Sequence, residues 1–92
     1  MYPDDALADV VLFDVPREAD LLCKRLREQR LVWMHVREGM QFVAASLRSE
    51  PGDLAALLRS VEAWVAEQGL PRMQFELDGR SYTLRAQPAF LH

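Results

Sequence analysis

The segment from Leu31 to Leu47 reads as a β-hairpin that is apolar on both faces, and this constrains the fold more than any other stretch. A strand covered by helices on one side only alternates apolar with polar residues. Taking Glu38-Gly39 as a two-residue turn pairs Arg37 with Met40. Trp33 then lies opposite Ala44, His35 opposite Phe42 and Met34 opposite Val43. One face carries Val32, Met34, Val36, Val43, Ala45 and Leu47, while the other carries Leu31, Trp33, Met40 and Phe42 around His35. The chain's own helices can cover the first face. The second needs a further cover, which is a partner subunit, a ligand or another part of the chain.

The remaining elements follow from periodicity. Val10 to Val15 is a β-branched apolar run suited to a central strand buried on both faces. Pro16 is placed as the first residue of a helix running to about Arg30, with Ala19, Leu22, Cys23 and Leu26 on its inner stripe and Leu21 outside. Ser49 to Asp53 reads as a loop and helix start, with Ser49 or Asp53 as the cap. The second helix extends to about Gln68 on a stripe of Leu54, Leu57, Leu58, Val61, Trp64 and Val65. Gly69 ends it in a left-handed conformation, with Leu70 folding back and Pro71 preventing continuation. Ala55, Ala56, Ala63 and Ala66 lie on its outer side.

Asp78-Gly79 is a second two-residue turn, which pairs Leu77 with Arg80, Phe75 with Tyr82 and Met73 with Leu84. This hairpin is amphipathic, with Met73, Phe75, Leu77, Tyr82 and Leu84 on one face and Arg72, Gln74, Glu76, Ser81, Thr83 and Arg85 on the other. The contrast assigns the uncovered apolar surface to the first hairpin.

The order β-α-β-β-α-β-β with right-handed crossovers predicts an α+β fold of ferredoxin-like type. It is one antiparallel sheet in spatial order 5-4-1-3-2, with two helices on one face. Residues 1–92 are read as a single domain, with loose termini at 1–8 and 87–92. The topology is shared by ligand sensors, acylphosphatases, RNA-binding modules and small haem proteins, so it selects no function.

Chemistry-bearing motifs are few. A net charge of −3 and the lack of a basic stripe speak against nucleic acid. Asp14-Val15-Pro16-Arg17 has no glycine to open a phosphate-cradling loop after the first strand. Cys23 is the only cysteine, so no internal disulfide and no cysteine-based zinc site can form, and it reads as a small buried hydrophobe. No apolar run reaches the roughly 18 residues of a membrane span, and the acidic N-terminus lacks the features of a signal peptide. A cytoplasmic protein is the resulting expectation, and a bacterial one; ten of its eleven cations are arginine, read as the base composition of a GC-rich genome. No catalytic set, cofactor or metal site is assembled from these residues.

The leading expectation is a non-enzymatic interaction or regulatory module. It homodimerises through Leu31, Trp33, His35, Met40 and Phe42. The alternative is that His35, Trp33 and Phe42 enclose a small apolar ligand or haem, in the extreme case as a small oxygenase. A heterologous protein docked on the same face, or on the alanine side of the second helix, is the third.

Overall fold

The computed structural model describes residues 10–85. The elements are β1 (Val10–Asp14), α1 (Ala19–Leu26), β2 (Val32–Arg37), β3 (Met40–Ser46), α2 (Asp53–Glu67), β4 (Arg72–Leu77) and β5 (Arg80–Arg85). The five strands form one sheet in the order β2-β3-β1-β4-β5, with every pair antiparallel. This is an α+β fold in the expected order, read from the opposite edge. The added fifth strand makes it not strictly ferredoxin-like.

Both hairpins have the expected register, Trp33 opposite Ala44 in the first and Phe75 opposite Tyr82 in the second. Their turns hold positive φ at both central residues: 53° and 80° at Glu38-Gly39, 55° and 77° at Asp78-Gly79. This is the mirror-image turn whose twist matches the right-handed twist of the flanking strands. Because side chains alternate along a strand, fixing the turns fixes which residues share a face.

The helices pack on one face against Val11, Phe13, Val32, Val43, Ala45, Met73, Phe75 and Leu84. From α2 come Leu57, Val61, Trp64 and Val65, all buried, and from α1 come Leu22, Cys23 and Leu26. Leu21 faces outward as expected. Gly69 has φ 72° and the Leu70 N–H donates to the Val65 carbonyl at 3.0 Å, so the end of α2 is the expected left-handed cap.

Four details depart from the sequence expectations. Helix α1 begins at Ala19 rather than Pro16, because Glu18 adopts a left-handed φ of 56° and its carbonyl accepts the first helical N–H groups. Ahead of it the Arg17 guanidinium donates to the Gln68 carbonyl at 2.8 Å, tying the loop to the end of α2. Val36 is 61% exposed, since it lies at the turn end of β2 beyond the cover of the helices. Tyr82 is also exposed, stacked on Phe75 at 5.3 Å near the β5 edge.

The fourth departure is the largest. Asp53 is no side-chain cap: Gly52 occupies that position, and the Asp53 carboxylate makes a buried ion pair with Arg30. The guanidinium donates to both carboxylate oxygens at 2.7 and 2.9 Å, and the two side chains are only 3% and 7% exposed. Arg30 also donates to the Ser46 carbonyl, and Asp53 accepts the Arg48 N–H. The first helix ends at Leu26 rather than near Arg30, and one charged pair thus joins the turn that follows it, the end of β3 and the start of α2. These hydrogen bonds hold the Asp53 carboxyl below its ordinary pKa, Arg30 contributing most and the Arg48 N–H next.

Candidate functional site

The face of the sheet away from the helices carries no helix or strand of the described residues. Alternation and register define its layout. The β2 residues Trp33, His35 and Arg37 stand beside Ala44, Phe42 and Met40 of β3. The β1 residues Leu12 and Asp14 follow, then Glu76 and Gln74 of β4. The side toward β2 is apolar, and the side toward β5 is polar.

Leu31, Trp33 and Met40 are open to solvent on this face, at 66%, 37% and 52% exposure. His35 is half-buried beside them. Phe42 differs from the expectation of an uncovered aromatic: it is buried, and the Arg37 guanidinium carbon lies 5.0 Å from its ring centroid. From there Arg37 crosses β3 and β1 to Glu76 on β4, donating to both carboxylate oxygens at 3.2 and 2.5 Å. The pair forms a strap over the middle of the sheet, and it holds the Glu76 carboxyl below the usual carboxylate range.

The strap divides the face into two depressions. The larger, about 350 Å³, is lined by Val10, Leu12, Trp33 and His35, with Arg37, Glu76 and Asp78 at its margin. The register places the small Ala44 between Trp33 and Leu12, where it is fully buried. The smaller depression, about 200 Å³, lies on the other side of Arg37, toward Met40, Asp14 and Gln74.

Thus the structure places Leu31, Trp33, His35, Met40 and Phe42 on one face as expected, with Trp33 and His35 together in one hollow. Sequence reading missed Leu12, Ala44, Arg37 and Glu76. The parity of Arg37 with His35, and of Glu76 with Arg72, was available. The ion pair was not drawn because two strands separate its members.

The hollow brings Trp33 and Leu12 together with one imidazole, that of His35. His35 has no side-chain hydrogen bond to a carboxylate or hydroxyl among the described residues, so no nucleophile–base–orienter set is formed there. No group of three or more His, Cys, Asp or Glu is placed to hold a metal among the described residues. No described helix is long and apolar enough to cross a membrane. Comparison with models of protein families, with curated proteins and with solved structures finds no match to the chain.

Proposed function

We propose that this protein is an interaction or regulatory module whose open sheet face is covered by a second copy of the chain. One observation carries the reading. Leu31, Trp33 and Met40 are exposed on a sheet face that no described element covers, while the helices bury the opposite face except for Val36 and Tyr82. Contiguous exposed apolar surface marks an interaction site, and a tryptophan at its centre is the residue type on which binding energy concentrates. A two-fold dimer needs only one such self-complementary patch. Sedimentation velocity on the full chain tests this. The unmodified protein should sediment as a dimer at micromolar concentration, and Trp33→Arg as a monomer with unchanged far-ultraviolet dichroism. A monomer at high micromolar concentration overturns the proposal.

A second reading has its own support in the hollow of about 350 Å³, whose apolar walls and single imidazole match the usual composition of a small-molecule pocket. On this reading Trp33 and Leu12 hold an apolar ligand body and His35 supplies the polar contact. Haem is the most easily seen candidate. A Soret band on haem titration that is lost in His35→Ala supports it, and a colourless protein without such a band removes haem.

A further inference from the structure

The apolar half of the open face is too small to serve as a specific interface alone. Five strands about 4.8 Å apart and about 17–20 Å long present a planar face of roughly 400–500 Å², of which the β2–β3 side is about half. Stable protein interfaces bury roughly 800 Å² of accessible surface per partner. A copy seated on Trp33 approaches that area only by covering the β4–β5 side as well, and that side is charged.

Its charges are sorted by sign along the strands. Arg72 and Arg85 are paired at one end of the hairpin, and by alternation both lie on the open face with Gln74 and Glu76. Asp78 occupies the turn at the other end and borders the larger hollow. All three are exposed.

A two-fold axis in the interface plane has two simple directions. If it runs along the strands, β4 of one copy lies over β3 of the other, and β5 lies over β2. That arrangement sets Arg72 and Glu76 on the apolar half and removes the exposed apolar residues from each other. An axis perpendicular to the strands keeps each strand over its own counterpart, reversed in direction. Apolar half then meets apolar half, Trp33 comes beside the partner's His35, and the arginine end of each β4–β5 hairpin lies over the aspartate end of the other.

Resting on the dimer reading above, we infer that the second copy docks about this perpendicular axis, with Arg72 paired to the partner's Asp78 at two symmetric places. Oppositely charged rims of this kind fix orientation more than they add affinity. The other axis lays Ser81 over Trp33, Glu76 over Ala44 and Arg72 over Met40, so no exposed apolar residue of one copy meets an exposed apolar residue of the next.

The test is a double-mutant cycle on the dimer dissociation constant of the full chain, measured by sedimentation equilibrium. Arg72→Gln and Asp78→Asn are chosen because asparagine tolerates the positive φ of 55° at position 78 as aspartate does. Each single variant should raise the constant by roughly 2- to 30-fold, since each loses two symmetric exposed pairs. The double variant should be no weaker than the weaker single. In a second set, Arg72→Asp should weaken association further by facing the partner's Asp78, and adding Asp78→Asn should recover most of that added loss. A dimer that depends on Trp33 but shows additive losses, or none, overturns the axis while leaving the dimer standing. A monomeric unmodified protein overturns the dimer reading and this inference together.

Discussion

Removing the Asp53 carboxylate should be among the most damaging single changes available in this domain. Asp53→Ala leaves Arg30 as a buried cation, 3% exposed at its side chain, with its remaining bond to the Ser46 carbonyl. It also removes the acceptor of the Arg48 N–H. Breaking a buried ion pair by deleting one partner costs about 3–5 kcal/mol. Total stability for a chain of this size is about 5–14 kcal/mol. With a urea slope of about 1.5 kcal/mol per molar, the unfolding midpoint should fall by about 2–3 M. Arg30→Met/Asp53→Leu should recover part of the loss, because the stranded charge is gone. It should not recover all of it, because the Ser46 carbonyl and the Arg48 N–H both lose their partners. The carboxyl is more acidic in the folded state than in the unfolded chain, so its contribution is fully present above the ordinary aspartate pKa and disappears as pH falls through the folded value. Stability from this group should accordingly be flat from about pH 7 to 5 and decline below about pH 4. Urea melts of the three proteins at pH 7 and pH 3.5 are the assay. A loss under about 1 kcal/mol in Asp53→Ala, or an undiminished acid decline in that variant, would refute the reasoning.

Three further outcomes are expected. Trp64→Ala should cost about 3–5 kcal/mol and strongly destabilise the domain, whereas Trp33→Ala should retain the fold; in the folded Trp33→Ala protein the remaining Trp64 should be blue-shifted and shielded from iodide. Gly69→Ala should lose about 1–2 kcal/mol, a Tm lower by at least about 4 °C, through its φ of 72° alone, since an added Cβ there would meet no atom within 4 Å; an unchanged melt would count against the left-handed cap. Cys23 is buried, donates to the Met34 sulfur at 3.4 Å and has its thiol pKa pushed up by burial, so a disulfide reagent should modify it far more slowly in the folded than in the urea-unfolded protein; equal rates would contradict that placement.

The legible parts of this fold were the local ones. Glu38-Gly39 and Asp78-Gly79 announce their turns through residue types that accept positive φ, and from the turns the registers and faces of four strands follow. The stripe from Leu57 to Trp64 and the stop at Gly69 identify α2 in the same way. The larger failures involve partners distant in sequence. Asp53 at the start of a helix looks the same whether it caps or pairs, and only the tertiary position of Arg30 decides. Glu76 reads as a solvated residue on a polar strand face until the sheet brings Arg37 to it. Pro16 suits a first helical turn, but Arg17 reaches to the end of α2 and the helix starts later. For the site, the strand faces were readable, while the hollow is lined by residues of β1, β2, β4 and the second turn, which only the sheet order brings together.

The position of β1 has a consequence for how the chain folds. Each hairpin closes locally, across a two-residue turn, but β1 alone joins the two into one sheet. Its contacts with β4 pair Val11 with Leu77, positions 66 apart. Closing a loop of that length costs about 4 kcal/mol of chain entropy beyond a constant term, and no local contact offsets it. Insertion of β1 between β3 and β4 is therefore the slow, cooperative event of folding, and it sets a high mean sequence separation for so short a chain. Until it occurs, both hairpins expose an edge that a neighbouring molecule's β1 fits equally well, so refolding at high concentration should divert molecules into strand-exchanged assemblies.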